Sequence, residues 1–160
     1  MIRPAQLTDA AQIAAIYNYY IEQTTITFET ALVSTKEMEQ RILSICKDYP
    51  YFVIEEEGEI KGYCYAHRWK EKEAYLYTAE TTVYVKPERL GEGNGKKLMH
   101  HLIEACRKQR LHTLIACITY PNEPSMQLHE KLGFRQVSHF HEVGCKFGKW
   151  LDVCDYELVL

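Results

Sequence analysis

One segment near the middle of the chain constrains the fold more than any other. An apolar run typical of a β-strand, Val83–Val85, ends at Pro87, and glycines follow at alternate positions, Gly91, Gly93 and Gly95. A helical pattern begins immediately afterwards. Glycine lets backbone N–H groups crowd around an anion, and the N-terminus of a helix adds a favourable dipole. The sequence therefore predicts that a phosphorylated small molecule binds where this strand meets the helix.

The glycine spacing alone leaves other interpretations open. A Walker phosphate loop needs Ser or Thr at the position of Lys97. A dinucleotide fingerprint needs G-x-G-x-x-G early in a βαβ unit, whereas these glycines read G-x-G-x-G after a strand in mid-chain. A plain strand-to-helix turn remains an alternative explanation of the glycines.

Length and charge exclude several classes of protein. With 160 residues, 46% of them apolar, we expect a single domain over residues 1–160. The net charge is -3 and the basic residues are scattered, so no nucleic-acid partner is expected. No apolar run reaches membrane-spanning length. The chain enters a strand-like pattern directly after Met1, without a signal peptide, so we expect a cytoplasmic protein with no membrane partner.

The cysteines and histidines give little sign of a disulfide or a metal site. The six cysteines form no C-x-x-C pair, and we expect them to be reduced and mostly buried. His139 and His141 flank Phe140. Two histidines without a third or fourth ligand nearby are weak evidence for a metal, so none is expected.

The hydrophobic pattern predicts the element order β-α-α-β-β-β-α-β-α-β-β. This order is typical of an α+β (mixed α/β) domain, with a mostly antiparallel mixed sheet of about 6–7 strands and about four helices. The helices are expected from a cap at Thr8-Asp9 to about Ile21, from Ser34 to about Cys46, from Lys96 to Gln109 and from Asn122 to Leu132. The last four strands are expected at about Tyr75–Val85, Thr113–Ile118, Phe134–Phe140 and Leu151–Leu160.

Five segments, in order along the chain, carry a resemblance to a known family. They are Ile16-Tyr17-Asn18-x-Tyr20, Thr27-Phe28, Glu80-x-x-Val83-Tyr84-Val85, Leu128-His129-Glu130-Lys131-Leu132-Gly133-Phe134 and Val143-Gly144-x-Lys146-Phe147-Gly148-Lys149-Trp150-Leu151-Asp152. The chain resembles the GNAT superfamily of N-acetyltransferases, and within it these segments are most similar to the branch of phosphinothricin and methionine sulfoximine N-acetyltransferases. The resemblance covers essentially the whole chain and implies the fold of that superfamily.

The resemblance implies acetyl-CoA as acetyl donor. The strand would carry a bulge and splay from its neighbour, so that Val83, Tyr84 and Val85 hold the pantetheine arm. The family's loop opens with Arg or Gln where this chain has Leu90, which implies weaker CoA binding or compensation by Arg89. The remaining cofactor contacts implied are Gly91, Glu92, Gly93, Asn94, Gly95 and Lys96 for the pyrophosphate, with Asn122 and Ser125 near the arm.

The resemblance also implies two catalytic residues. Glu80 would act as general base, removing a proton from the ammonium form of the acceptor, directly or through water. His129 would either donate a proton to the leaving thiolate or pack beside the cofactor. No cysteine lies beside an obvious histidine base, so we expect direct attack without a covalent enzyme intermediate.

The acceptor implied is the primary amine of a small polar molecule, an amino acid or an analogue. Lys70 and Leu76 stand where relatives of the branch often carry Arg, which places phosphinothricin and methionine sulfoximine in doubt. A homodimer is expected. Acetylation of a protein or peptide, and a non-catalytic acetyl-CoA sensor, remain the alternatives. The expected acceptor contacts are Phe28, Lys70, Glu71, Lys72, Tyr75 and Tyr77.

Overall fold

A computed structural model describes residues 1–160 and contains eight strands and four α-helices. The helices are α1 (Ala10–Gln23), α2 (Thr35–Cys46), α3 (Asn94–Lys108) and α4 (Glu123–Lys131). The strands are β1 (Ile2–Pro4), β2 (Tyr51–Glu56), β3 (Glu59–Arg68), β4 (Thr78–Val85), β5 (Thr113–Tyr120), β6 (Arg135–Gln136), β7 (Phe140–Lys146) and β8 (Lys149–Val159). No α-helix combines the length and the apolar character that a membrane span requires.

All strands belong to one mixed sheet in the order β1-β2-β3-β4-β5-β8-β6, with β7 also paired to β8. Every pair is antiparallel except β4 and β5, which are parallel. The α+β class and the mostly antiparallel sheet are thereby confirmed, with eight strands in place of six or seven.

The two parallel strands separate halfway along their length. Thr78–Glu80 pairs with Thr113–Ile115, and beyond these residues β4 and β5 have no further pairing with each other. β4 continues to Val85 beside β3, while β5 continues to Tyr120 beside β8. A notch therefore opens in the sheet after Glu80, where main-chain groups on the facing edges lack a strand partner.

The bulge expected in β4 is absent. Its pairing with β3 runs from Arg68 opposite Ala79 to Gly62 opposite Val85 without a register shift. The splay therefore arises from the departure of β5 alone, since the antiparallel ladder on the other side of β4 stays intact.

Helices cover both faces of the sheet. α3 buries Leu98, Met99 and Leu102 against one face, together with Cys64 and Ala66 of β3. α1 and α2 cover the opposite face in a second cluster with Val53 and Tyr63. Neighbouring strand residues such as Tyr63 and Cys64 point to opposite faces, so each short strand contributes to both cores.

The C-terminal region differs from the sequence prediction. The strand expected over 134–140 is reduced to Arg135–Gln136, and a separate strand, Phe140–Lys146, forms a hairpin with β8. Most residues of β7 are exposed, so the strand lacks the alternation of apolar and polar residues that reveals a half-buried strand. Its pairing with β8 defines it instead.

Candidate active site

The N-terminus of α3 presents a row of free main-chain donors. None of the six amide N–H groups from Gly91 to Lys96 donates to a protein carbonyl, whereas the next amide, Lys97, bonds to the carbonyl of Gly93 at 3.1 Å. Such a row at a helix N-terminus binds an anion through hydrogen bonds and the helix dipole. The loop therefore has the donors that a diphosphate requires.

Two glycines and one asparagine shape this loop. Gly91 and Gly93 have φ of 82° and 77°, in the left-handed region that favours glycine. The Asn94 side chain is buried and donates to the carbonyl of Arg89 at 3.3 Å and to Glu92 Oε2 at 3.1 Å. The Asn94 side chain thus holds the loop together from within, and the groups available to bind a ligand are the main-chain amides.

A groove of about 490 Å³ leads from this loop along β4 to the start of α4. It contains ten of the eleven cofactor contacts expected from the sequence: Val83, Tyr84, Val85, Gly91, Gly93, Asn94, Gly95, Lys96, Asn122 and Ser125. The Val85 carbonyl already accepts a hydrogen bond of 2.5 Å from Tyr20, whose side chain also lines the groove.

Glu92 is the exception, because its side chain does not line the groove. Its carboxylate faces Lys61 at 3.6 Å and Arg89 at 3.6 Å, and it accepts the bond from Asn94. Glu92 therefore belongs to the donor row through its main-chain amide, the group through which its contact with the pyrophosphate was expected.

The groove also holds one cation that the sequence analysis did not single out, Lys131 of α4. Lys96 and Lys131 both line the groove and form no ion pair within the protein, so both charges are free for a phosphate. Arg89 lines it too, but its guanidinium bonds to Glu59 at 2.8 Å. The positive charge of Arg89, which was expected to compensate for Leu90, is thus partly neutralised by Glu59. Lys131 supplies a further positive charge.

A second cleft of about 300 Å³ adjoins the groove. The two share a wall formed by Ile26, Val83, Tyr84, Asn122 and Ser125. The second cleft lies in the notch between β4 and β5. It is lined by Glu80, by His129 and Phe28 as expected, and by residues that the sequence analysis did not assign to it: Tyr17, Thr27, Tyr65, His67, Thr81, Thr82, Ala116, Cys117, Ile118, Thr119 and Val153.

Glu80 lies on β4 at the last position before the strands separate. Burial raises the pKa of its carboxyl group, the charge of His67 lowers it in part, and Asp155 raises it further. A carboxylate with a raised pKa at the floor of a cleft is suited to accept a proton from a ligand.

His67 is the residue opposite Glu80 in the β3–β4 ladder. Its Nε2 lies 3.8 Å from Glu80 Oε1. No motif in the sequence marks this histidine, because its place beside Glu80 depends on the register of two strands. Recognition of the β3–β4 pairing would have been the only signal.

His129 is held by its own helix. Its Nδ1 lies 2.7 Å from the carbonyl oxygen of Ser125, and its ring packs edge-on against Phe134. Because a carbonyl only accepts, Nδ1 carries the hydrogen. Burial lowers the pKa of His129, which favours the neutral ring. The neutral ring has no free hydrogen for a leaving thiolate, so the geometry favours the packing role over proton donation.

Cys117 is the thiol that lines the second cleft. Although part of the side chain reaches solvent, the cleft walls desolvate the thiol, and this desolvation, followed by the charge of Glu80, raises the pKa of Cys117 to about 12. A thiol is a poor nucleophile until it ionises, so this cysteine is unsuited to carry an acetyl group. Among the other cysteines, Cys64, Cys106 and Cys154 are buried, and Cys46 and Cys145 are exposed like Cys117, so only half of them fit the expected buried class.

One wall of the cleft is attached to the β7–β8 hairpin. Lys146 is buried and its Nζ donates to the carbonyl of Thr27 at 2.8 Å. Phe28 packs so tightly on Gly144 that a Cβ at this glycine would overlap the ring. The hairpin therefore positions Phe28 in the wall of the cleft.

The other expected acceptor contacts lie outside the cleft. The loop after β3 folds back on itself: Arg68 donates to the carbonyl of Lys70 at 3.0 Å, and the Lys70 ammonium lies over the Trp69 ring at 4.2 Å. These local contacts keep the segment on the surface. The expected acceptor contacts that do not line the cleft are Lys70, Glu71, Lys72, Tyr75 and Tyr77. Tyr77 lines a separate depression on the outer surface.

His139 and His141 acquire a third polar neighbour that their sequence spacing does not reveal. Asp152 Oδ2 lies 2.8 Å from His139 Nε2 and 3.1 Å from His141 Nδ1, on the β7–β8 hairpin. The three ligand-type atoms lie within 4.8 Å of one another. The carboxylate is satisfied by these rings and by the Glu142 amide, outside both clefts.

Comparison with known proteins agrees with this geometry. The family model of the acetyltransferase (GNAT) domain matches residues 2–154. The chain is 39% identical to phosphinothricin N-acetyltransferase of Streptomyces coelicolor over 160 residues, covering 98% of this chain and 94% of the relative. It is 36% identical to the L-amino acid N-acyltransferase of Escherichia coli K12 over 163 residues, covering 99% and 94%.

A solved structure supplies the ligand class. The structure of yncA from Salmonella typhimurium, with its cofactor acetyl-CoA, has a TM-score of 0.98 and 35% sequence identity, covering 100% of this chain and 93% of that one. The free amides and the adjoining groove of this chain fit such a donor. The chain therefore belongs to the GNAT family of acetyltransferases and is an N-acetyltransferase that uses acetyl-CoA as its acetyl donor.

Proposed function

We propose that this enzyme acetylates the primary amine of a small amino acid or amino acid analogue, with Glu80 as general base. The second cleft is then the acceptor cleft. Two relatives of similar length carry names that specify such acceptors. The observation that carries the proposal is the junction of the two clefts: the donor groove opens directly into a cleft whose floor holds a carboxylate with a raised pKa.

In this mechanism residues of the chain bind the acetyl donor and deprotonate the acceptor amine. The amides from Gly91 to Lys96 hold the diphosphate, and the unpaired edge of β4 positions the arm toward the notch. Acetyl-CoA, when bound, supplies a thioester carbon that an amine can attack. Glu80 accepts the proton that the ammonium must lose before its nitrogen becomes nucleophilic, and the surrounding walls exclude water from the reacting atoms.

A second acceptor class is favoured by one feature of the acceptor cleft. No Lys or Arg side chain lines it, so an acceptor carboxylate would meet no permanent positive charge there. Amines without a carboxylate, such as polyamines, would be attracted by Glu80 and carry no negative charge that needs a partner. They are the second candidate.

The test is a thiol-release assay with acetyl-CoA. The panel contains amino acids, methionine sulfoximine, phosphinothricin, polyamines and short peptides. Preference for the amino acids or the two analogues supports the first candidate, and preference for polyamines supports the second. Activity on peptides alone would overturn the small-molecule class.

The role of Glu80 has its own test. In Glu80→Gln we expect turnover to fall by about 10²–10⁴-fold, as for loss of a general base. CoA affinity, measured by calorimetry, stays the same because Glu80 does not line the donor groove. Glu71→Gln, at an exposed glutamate outside the cleft, is the matched control. Tight CoA binding without turnover on any amine would instead indicate a sensor.

We also propose that the protein forms a homodimer and works in the cytoplasm. The β7–β8 hairpin exposes four large apolar side chains, Phe140, Val143, Phe147 and Trp150. Exposed apolar patches of this kind mark association sites, and a second copy of the same hairpin offers a matching surface. The six unpaired cysteines are compatible with a reducing compartment.

A further inference from the structure

The hydrogen bonds of His67 fix which of its ring nitrogens exchanges a proton. Nδ1 lies 2.9 Å from the carbonyl oxygen of Arg68. A carbonyl oxygen can only accept, so Nδ1 carries a hydrogen in both protonation states of the ring. The nitrogen that is free to take up or release a proton is therefore Nε2, which faces Glu80.

The distance from Nε2 to Glu80 Oε1 is 3.8 Å. This separation is too long for a direct hydrogen bond and short enough for a small side-chain rotation or one bridging water to connect the two atoms. A proton on the carboxyl of Glu80 can thus pass to His67 without a change in the backbone.

His67 also stands between the acceptor cleft and bulk solvent. It lines the acceptor cleft together with Glu80, and it lines the outer depression together with Asp48, Arg68 and Tyr77. Its side chain is 34% exposed. Glu80, by contrast, lines only the cleft, whose mouth an acceptor fills during the reaction.

We propose that His67 is the proton exit of the enzyme, a positioning residue that takes the proton from Glu80 and releases it to water in the outer depression. This proposal rests on the function proposed for Glu80. It explains how a base enclosed beneath a bound acceptor returns to its carboxylate form before the next turnover.

The proton leaves in three steps. The ammonium N–H bond breaks and an O–H bond forms on Glu80. That O–H bond then breaks and an N–H bond forms at Nε2 of His67, giving an imidazolium with a hydrogen on each nitrogen. The imidazolium loses the Nε2 hydrogen to water and regains its lone pair.

The charged and titratable groups around the pair agree with this direction. Glu80 interacts with His67 on β3, with Asp155 on β8 and with Cys117 on β5. Tyr65 packs beside the His67 ring at 5.8 Å between centroids. The carboxylate of Asp155 opposes a lasting negative charge on Glu80, whereas a positive charge on His67 favours it, so the only cation in the cluster is the proposed carrier.

Two substitutions separate proton transfer from simple packing. His67→Asn retains a nitrogen donor near the Nδ1 position, and His67→Gln retains one near Nε2, but neither side chain titrates. His100→Asn, at an exposed histidine of α3, is the matched control. Each variant is assayed for kcat, acceptor KM and the pH profile, with and without added imidazole, and CoA calorimetry reports whether it is folded.

We expect kcat to fall by about tenfold in both His67 variants, which corresponds to about 1.4 kcal/mol of barrier. Acceptor KM stays the same. The acidic limb of the profile moves to higher pH, because Glu80 loses the positive charge that lowers its pKa. Added imidazole restores kcat, and the control behaves like the wild type.

Unchanged kcat in the His67 variants, with turnover lost in Glu80→Gln, would overturn the role of His67 as proton carrier and leave the role of Glu80 as general base intact. A loss that appears in KM and does not respond to imidazole would show a merely structural histidine. Full turnover in Glu80→Gln would overturn both assignments.

Discussion

His129 illustrates how a single hydrogen bond decides the chemistry of a side chain. Its Nδ1 hydrogen is directed at the Ser125 carbonyl one turn earlier in α4, and the residue is 3% exposed. Burial lowers its pKa, so the positive form that could donate from Nε2 is disfavoured. The structure therefore favours a role in which His129 packs in the cleft wall over a role in which it protonates the leaving group.

We expect His129→Asn to lower kcat by less than about tenfold, well below the 10²–10⁴-fold typical of a lost general acid. The asparagine amide keeps a donor for the Ser125 carbonyl, and the smaller side chain lowers the melting temperature. Steady-state kinetics and thermal unfolding measure the two effects. A hundredfold loss of kcat with an unchanged melting temperature would instead support the catalytic role.

The site residues that could be predicted from the sequence are those that belong to a contiguous motif. Residues that reach the site through the pairing of two strands were missed. Glu80 and Phe28 were placed in the cleft because each lies within a recognisable segment. His67 was missed because β3 carries no motif, and Lys70 was misplaced because its cation–π contact with Trp69 depends on how the loop folds. Register and loop conformation are tertiary properties that residue types alone do not encode.

The loop between β4 and α3 acts as one element. Its donors are main-chain groups, and the two glycines with positive φ hold them open toward the groove. A Cβ added at Gly93 would meet open space, and so would a Cβ added at Gly148 in the β7–β8 turn, whose φ is 70°. The two positions therefore differ in ligand contact and resemble each other in backbone strain.

This similarity allows a matched comparison. We expect Gly93→Ala and Gly148→Ala each to destabilise the fold by roughly 1–2 kcal/mol, the cost of a left-handed conformation for alanine. Only Gly93→Ala weakens CoA binding, by about tenfold, because relief of the strain turns amides away from the groove. Thermal unfolding and calorimetry with CoA measure both quantities. Equal CoA affinity in the two variants would contradict the role of the amide row.

At the scale of the whole molecule, the β7–β8 hairpin links the cleft to the outer surface. One side holds the Phe28 wall through Gly144 and Lys146. The hairpin also exposes Phe147 and Trp150, which are 59% and 67% accessible. Such large side chains lose little conformational entropy and dominate protein interfaces.

We expect Trp150→Lys to shift the protein from dimer to monomer in sedimentation velocity, because a buried unpaired charge opposes association. Leu43→Lys, at a similarly exposed position on α2, is the control and leaves the dimer intact. A wild-type protein that sediments as a monomer at all concentrations tested would refute the proposed assembly.

The overall architecture was largely predictable from the sequence. The long helices were recognisable because apolar residues recur on one face, as in α3, and because Gly133 marks the end of α4. The splay of β4 and β5 followed from the family resemblance. The hairpin strand β7 was not recognisable, since its residues are mostly exposed and its existence depends on pairing with β8.

The donors at the start of α3 carry a consequence for the evolution of this enzyme. A hydrogen bond given by the peptide unit survives almost any exchange of the side chain attached to it. Substitutions at Leu90, Glu92 or Lys97 therefore leave the main-chain hydrogen bonds to the diphosphate in place. Insertions, deletions and the arrival of a proline are the changes that such a loop does not tolerate.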